Sequence, residues 1–195
     1  MQSLIYLIMK VIGINGSTRA NGNTQAALKE FGRVLQLAGH EMEIIELRKM
    51  KLNPCHACGQ CSGTKMCVQK DDINEIFQKL DGADGIVLAS PVYFSNVTAR
   101  MAMFIERTGT MFCANERCFK GKIGASIAVA RRAGTNVVYA MLNYYFGIGE
   151  MPIASSRYWN NIMARDRGDY DQDEEGIKII QTLAHNMSNM LEKLR

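Results

Sequence analysis

The stretch that most constrains this chain is a short apolar run that leads through a polar loop into a helix. Residues 9–24 read MKVIGINGSTRANGNT, and a helical pattern begins at Gln25. A helix N-terminus presents unpartnered N–H groups and the positive end of the helix dipole, and the loop adds hydroxyl, amide and guanidinium donors. Phosphate prefers this mixture of donors, so we predict an anion site here. The candidate ligands are Ser17, Thr18, Arg19, Asn21, Asn23 and Thr24.

Two familiar phosphate motifs do not describe this loop. It lacks the Lys-Ser/Thr pair of the Walker loop. The spacing of Gly13, Gly16 and Gly22 differs from the G-x-G-x-x-G turn of dinucleotide-binding folds. An ordinary strand-to-helix turn is the alternative interpretation.

Composition and length limit the classes of protein to be considered. A chain of 195 residues predicts one domain over 1–195. The net charge of +4 is spread along the chain and does not indicate nucleic-acid binding, and no apolar run is long enough for a membrane span. Residues 1–8 lack a basic start and a cleavage site, so we expect a cytoplasmic protein. These residues either lengthen the first strand or precede a natural start at Met9.

Apolar strand patterns alternate with helical ones along the chain, which predicts an α/β fold with a doubly wound parallel sheet. Strands are expected near residues 11–14, 41–47, 85–89 and 122–130, and a fifth over Met151–Ser156. Helices are expected over 24–37, 72–80 with Asp72 as N-cap, 99–111, 137–146 and the terminal stripe from Ile177. Residues 157–175 carry no clear pattern. Loops after parallel strands share one edge, where such folds bind their ligands.

Two further loops follow buried strands at this predicted edge. The loop after the third strand, SPVYFSN, carries two aromatic side chains on which a flat heteroaromatic ring would pack. Core or dimer contacts of these side chains are the alternative interpretation. After the fourth strand, an arginine would stabilise a reduced ring or bind a phosphate, unless both arginines are simply solvated. The candidates are Pro91, Val92, Tyr93, Phe94, Ser95, Asn96, Arg131, Arg132, Ala133 and Gly134.

Four of the six cysteines lie together in an irregular segment, residues 48–71, after the second strand. Cys55, Cys58, Cys61 and Cys67 are spaced C-x2-C-x2-C-x5-C, which resembles the bacterial ferredoxin run with a longer last gap and no proline. A [4Fe–4S] cluster suits this spacing. Zinc, or thiols that are empty or joined as disulfides, are the alternatives.

These motifs together resemble the flavodoxin-like NADPH-dependent FMN reductase superfamily. GINGSTRANGNT is similar to its phosphate loop, SPVYF to its isoalloxazine loop, and the cysteines to those of its iron–sulfur flavoprotein branch. The resemblance covers about Met9 to Ile153. It implies a five-stranded sheet of order 2-1-3-4-5, bound FMN, a [4Fe–4S] cluster, and a homodimer or homotetramer, for which the apolar helix Met101–Ile105 gives weak support.

The resemblance predicts an FMN-dependent oxidoreductase that relays electrons between ferredoxin or NAD(P)H and a small-molecule acceptor. The flavin carries the chemistry, so we expect no catalytic side chain. A cluster-free NADPH-dependent FMN or quinone reductase and a non-enzymatic flavodoxin-like electron carrier are the alternatives. A purely structural zinc module would leave the three loops unexplained.

Overall fold

Five parallel strands form the centre of the molecule in a computed structural model that describes residues 8–194. The strands lie in the order β2-β1-β3-β4-β5, so the predicted flavodoxin-like topology is confirmed. Each strand is followed along the chain by a crossover or a terminal helix, as a doubly wound sheet requires. The strands are β1 Lys10–Asn15, β2 Glu41–Glu46, β3 Gly85–Pro91, β4 Ile123–Ala130 and β5 Asn161–Met163.

Helices cover both faces of the sheet. Helices α1 and α5 pack on one face, and α2, α3 and α4 pack on the other. Within the helices, apolar residues recur at helical spacing and form the buried stripes that contact the sheet. The helices are α1 Asn23–Leu37, α2 Ile73–Asp81, α3 Ala99–Cys113, α4 Thr135–Ile148 and α5 Glu174–Lys193, with short 3-10 turns at Leu47–Lys49 and Asp169–Gln172.

The position of β3 at the centre of the sheet explains why its sequence is apolar. Ile86 and Leu88 belong to the core under α2, α3 and α4, whereas Val87 and Ala89 belong to the core under α1 and α5. All four side chains are fully buried. Alternate residues of a strand point to opposite faces, so a strand covered on both faces needs apolar residues at every position.

The fifth strand lies later in the chain than the sequence predicts. Within the predicted span Met151–Ser156, Ile153 forms only an isolated bridge with Gly124 of β4. The chain then leaves the sheet edge and returns at Asn160, whose carbonyl accepts the N–H of Ala128. The paired strand is therefore β5. The prediction was wrong because an edge strand needs few apolar residues. Residues 151–156 are more apolar than β5, but the continuous pairing with β4 forms at β5.

The irregular cysteine segment, residues 50–72, leaves the carboxyl end of β2 and returns to the start of α2. Its two ends are joined at a neck, where the N–H of Lys51 donates to Asp72 Oδ2 at 2.7 Å and the N–H of Asp72 donates to the Lys51 carbonyl at 3.0 Å. Asp72 precedes α2 as expected, but its carboxylate binds Lys51 instead of capping the helix.

The two interpretations given above for residues 1–8 concern residues that lie, except for Ile8, outside the described part of the chain. In that part, β1 starts at Lys10. None of the helices within residues 8–194 has the length and apolar character that crossing a membrane requires.

Candidate functional site

A cleft of about 370 Å³ lies at the carboxyl edge of the sheet, where the loops after β1, β3, β4 and β5 meet. Parallel strands bring these loops together because all their carboxyl ends lie at one edge. The lining residues come from four separate parts of the sequence. They are Ser17, Arg19, Gly22, Asn23, Thr24, Pro91, Val92, Tyr93, Val129, Arg131, Ala164, Arg165, Asp166 and Arg167.

The loop after β1 folds tightly over the end of its strand. The N–H of Ser17 donates to Asn15 Oδ1 at 2.9 Å, and Ser17 Oγ accepts the N–H of Arg19 at 3.2 Å. Gly22 is the N-cap of α1, and no acidic residue lies in the first turn of that helix. The helix N-terminus is therefore left without a capping side chain or a carboxylate that would compete with an anion in the cleft.

The loop after β3 holds an aromatic side chain out into solvent. The backbones of Tyr93 and Asn96 exchange two hydrogen bonds of 2.9 and 3.0 Å, and the two central residues, Phe94 and Ser95, have φ of 52° and 57°. Such turns favour asparagine and glycine, so a phenylalanine in this conformation is strained. The Phe94 side chain is completely exposed, and the Tyr93 hydroxyl is 3.2 Å from Thr18 Oγ1 in the first loop.

The loop after β4 packs directly against the loop after β3. Gly134 has φ of 88°, and a Cβ atom at this position would lie 2.8 Å from Val92 Cγ1 and 3.2 Å from Ser95 Oγ. Only glycine adopts this conformation without strain and without a clash. Both arginines of the loop are exposed, but Arg131 lines the cleft and Arg132 does not.

A fourth wall of the cleft, residues 164–167, was missed by the sequence analysis. Arg19 Nη1 donates to the Arg165 carbonyl at 3.1 Å, and Asn23 Nδ2 donates to the Asp166 carbonyl at 2.8 Å. The first loop therefore holds this wall in place. These charged residues directly follow β5 and so must lie at the same edge of the sheet as the other loops. They could have been predicted if the fifth strand had been placed correctly.

The charge around the cleft is predominantly positive. Four arginines line it against a single aspartate, Asp166. Guanidinium groups bind phosphate through paired hydrogen bonds, and the open N-terminus of α1 adds to the same field. The cleft thus combines an anion-binding wall with the apolar and aromatic surface of Val92 and Tyr93.

The four clustered cysteines line a second, small cavity of about 20 Å³ beside α3. Cys61 is buried and Cys58 exposed, and Cys55 and Cys67 are half-buried. Burial raises the pKa of the Cys61 thiol, and the three neighbouring cysteines raise it further because nearby thiolates repel another negative charge. All six cysteines are free thiols in this structure.

Side chains of α2, of α3 and of the turn that follows α3 hold this cavity together. Asn74 binds both backbone groups of Cys67, with distances of 2.7 and 2.8 Å. Asn115 Nδ2 donates to the Cys61 carbonyl at 2.9 Å, and Arg100 Nη1 donates to the Leu47 and Met50 carbonyls at the start of the segment. The cysteines are therefore held in position by these hydrogen bonds and by packing of Cys61 and Cys67 against the core. No group of three or more His, Cys, Asp or Glu side chains among residues 8–194 is arranged to hold a metal ion.

Comparison with known proteins identifies the family. Residues 9–164 match the sequence pattern of the NADPH-dependent FMN reductases, which is most of the chain. The chain belongs to the NADPH-dependent FMN reductase family. It is thus an FMN-dependent oxidoreductase, and the predicted family resemblance is confirmed.

Its relatives place this FMN reductase in the iron–sulfur flavoprotein branch. An iron–sulfur flavoprotein from Archaeoglobus fulgidus is 32% identical over 192 residues, covering 94% of this chain and 98% of that protein. One from Methanocaldococcus jannaschii is 30% identical over 194 residues, covering 96% of this chain and 100% of that protein.

A solved structure supports the fold of this FMN reductase. RosB, crystallised with a bound 8-demethyl-8-formylriboflavin-5′-phosphate intermediate, superposes with a TM-score of 0.76. The two chains are 14% identical, and the superposition covers 95% of this chain and 80% of RosB. At 14% identity, the similarity shows that the two proteins share a fold.

The structure brings about half of the predicted flavin-site residues to the cleft. Those that line it are Ser17, Arg19, Asn23, Thr24, Pro91, Val92, Tyr93 and Arg131. Others belong to the same loops but do not line it. These are Thr18, Asn21, Phe94, Ser95, Asn96, Arg132, Ala133 and Gly134. Among the first group, Asn23 uses its side chain to hold the wall formed by residues 164–167.

Proposed function

We propose that this protein binds FMN in the cleft and a [4Fe–4S] cluster at Cys55, Cys58, Cys61 and Cys67, and passes electrons between a reduced donor and a small-molecule acceptor. FMN exchanges two electrons with a hydride donor, whereas a [4Fe–4S] cluster exchanges one at a time. The observation that carries the proposal is the meeting of three predicted loops around one positively charged cleft.

The cleft has the two kinds of surface that FMN needs. The open N-terminus of α1 and Arg19, with Ser17 and Thr24 beside it, supply donors for a phosphate. Val92 and Tyr93 supply a wall for a flat ring. The exposed, strained Phe94 follows Tyr93 in the same loop, and we propose that it covers the ring when one is bound.

The donor set at the second cavity suits a cluster. Four cysteines line this one cavity, and a cluster is larger than a single ion, so its ligands stand further apart than those of a zinc site. Two sulfurs already accept hydrogen bonds, Cys67 Sγ from Arg107 at 3.0 Å and Cys55 Sγ from the N–H of Ala57 at 3.4 Å. Donors of this kind support ligating sulfurs in metal sites.

We propose NAD(P)H or ferredoxin as the electron donor. Four arginines around the cleft suit the phosphates of a nicotinamide nucleotide, and the same exposed charges would attract an acidic electron-carrier protein. A quinone, an oxygen species or a metal ion is the class of acceptor that the family resemblance implies.

We also propose that the chain assembles as a homodimer or homotetramer. An apolar groove of about 580 Å³ runs between α3 and α4, and Val137, Tyr144 and Ile148 of α4 are exposed beside it. Exposed apolar patches of this kind mark contacts between proteins. Of the helix 101–105, Met101 and Phe104 are buried in the core of the chain itself, whereas Ile105 lines this groove.

Cofactor content tests the proposal directly. Protein purified without oxygen is assayed for iron, acid-labile sulfide, zinc and FMN per chain, and NADPH is then added anaerobically while the flavin absorbance is followed. We expect one FMN with four irons and four sulfides, and bleaching of the flavin by NADPH. FMN without iron would leave a cluster-free flavin reductase, and four irons without bleaching would direct attention to ferredoxin.

Two neighbouring arginines provide a matched pair of variants for the cleft. Arg131→Gln removes a charge that lines the cleft, whereas Arg132→Gln removes an exposed charge that does not. If FMN or NADPH binds in this cleft, the first change weakens binding of one of them by about tenfold, as loss of a charge-assisted hydrogen bond does. The second change leaves both affinities nearly unaltered. Equal affinities for the two variants would argue against this binding mode.

A further inference from the structure

A buried arginine forms part of the wall of the cysteine cavity. The side chains of Arg107 on α3 and Asp71 are 1% and 0% exposed. The two groups face each other with paired contacts, Nη1 to Asp71 Oδ2 at 2.9 Å and Nη2 to Asp71 Oδ1 at 3.2 Å. Arginine and aspartate are almost never buried to this extent unless paired, so the pair fixes the plane of the guanidinium group.

The same guanidinium group donates to a cysteine. Arg107 Nη2 lies 3.0 Å from Cys67 Sγ, and Nη1 also donates to the Asn53 carbonyl at 2.8 Å. Arginine does not lose its proton in proteins, so this donor is permanent. Asp71 neutralises the charge of the group, and Cys67 therefore receives a directed hydrogen bond from a neutral pair.

Cys67 is also held in place by a residue other than Arg107. Asn74 binds the N–H and the carbonyl of Cys67, so the backbone of this residue has an anchor of its own besides the guanidinium group. The bond from Arg107 to the sulfur is thus available for a role other than holding the loop together.

We propose that Arg107, oriented by Asp71, is a positioning residue that sets the reduction potential of the cluster through its hydrogen bond to the Cys67 sulfur. This inference rests on the proposed function, because it requires that the four cysteines ligate a [4Fe–4S] cluster. A hydrogen bond to a ligand sulfur withdraws electron density and stabilises the more negative, reduced form. Arg107 therefore raises the potential above the value that the four thiolates alone would give.

Three variants test this role. Arg107→Met combined with Asp71→Leu removes both charges and the donor, and replacing a buried ion pair by apolar residues is often tolerated. Arg107→Lys keeps a positive charge but loses the planar fork that reaches both partners. Arg100→Lys is the control, since Arg100 lies on the same helix and holds the same loop but donates only to backbone carbonyls.

The readouts are iron and sulfide content and the midpoint potential of the cluster, followed by electron paramagnetic resonance in an anaerobic titration. We expect Arg107→Lys and the double variant to keep four irons and to shift the potential to more negative values, while Arg100→Lys keeps the potential of the unchanged protein. Unchanged potentials in both Arg107 variants, or loss of iron from both, would overturn the tuning role. An unchanged protein that holds no iron would overturn the proposed cluster as well.

Discussion

Gly134 allows the loops after β3 and β4 to pack together, because its backbone is left-handed and its Cα faces Val92. We expect Gly134→Ala to lower the free energy of unfolding by about 1–3 kcal/mol, since alanine is strained at this φ and its Cβ would press on Val92. Urea unfolding monitored by circular dichroism measures the change. Weaker FMN binding should accompany it, because Val92 lines the cleft.

Gly147, inside the helix that Gly134 precedes, provides the control for this substitution. A Cβ at Gly147 would meet nothing within 4 Å, and the residue lies inside α4. Gly147→Ala should therefore be neutral or stabilise the protein by up to about 1 kcal/mol, as alanine does in helices. If Gly134→Ala behaved in the same way, the close approach of the two loops would not be a constraint.

The types of residue in the loops predicted which residues line the cleft, but not which hydrogen bonds their side chains form. Ser17, Thr24 and Arg131 are donors that follow predicted strands, and they line the cleft. Asn23 is a donor of the same kind, but its amide is bound to a segment 143 residues away. Sequence spacing cannot reveal such a partner, because the contact depends on how the last strand is placed against β4.

At the scale of elements, the ion pair of Asp71 and Arg107 joins the end of the cysteine segment to α3. Burial raises the pKa of the Asp71 carboxyl, but hydrogen bonds from Arg107 and from the N–H of Asn53 outweigh this effect and hold it below its usual range. Asp71→Asn should cost about 3–5 kcal/mol at neutral pH, because it leaves the Arg107 charge buried without a partner.

The destabilisation caused by Asp71→Asn should become smaller at low pH. A carboxyl whose pKa is lowered by folding stabilises the protein above its unfolded pKa of about 3.9, and this contribution is lost as the pH falls through the lower folded value. The difference between Asp71→Asn and the unchanged protein should therefore shrink below about pH 4 in urea unfolding. Asp81→Asn is the control, since its pair with Lys65 is partly exposed and should contribute less than about 1 kcal/mol.

Elements with strong patterns were predicted within a few residues. Strands β1, β3 and β4 are largely apolar because helices cover both faces of the sheet, and α5 has a clear buried stripe. The edge strand β5 was misplaced, since only Ile162 of its three residues is buried and no pattern of burial marks it. The cysteine segment was recognised by spacing, although its anchors Asn74 and Asn115 carry no sequence signature.

For the whole molecule, the exposed apolar residues of α4 predict self-association. Tyr144→Glu and Ile148→Glu place charge on the proposed contact and should convert the assembly to smaller species in sedimentation equilibrium, because burying an unpaired charge at an interface is costly. Leu37→Glu, an equally exposed apolar site on α1 across the sheet, should leave the assembly unaltered. A monomeric unchanged protein would contradict the proposed assembly.

The neck between Lys51 and Asp72 has an evolutionary consequence. The backbones on its two sides are already in hydrogen-bond contact, so the residues between them leave and re-enter the fold at one point. A loop with touching ends can be gained or lost in a single genetic event without moving any strand, because the surrounding chain is joined across the gap. A lineage of this fold that lost the segment would therefore keep the sheet and its cleft but would also have to replace Arg107, because the buried partner of that arginine, Asp71, lies inside the segment.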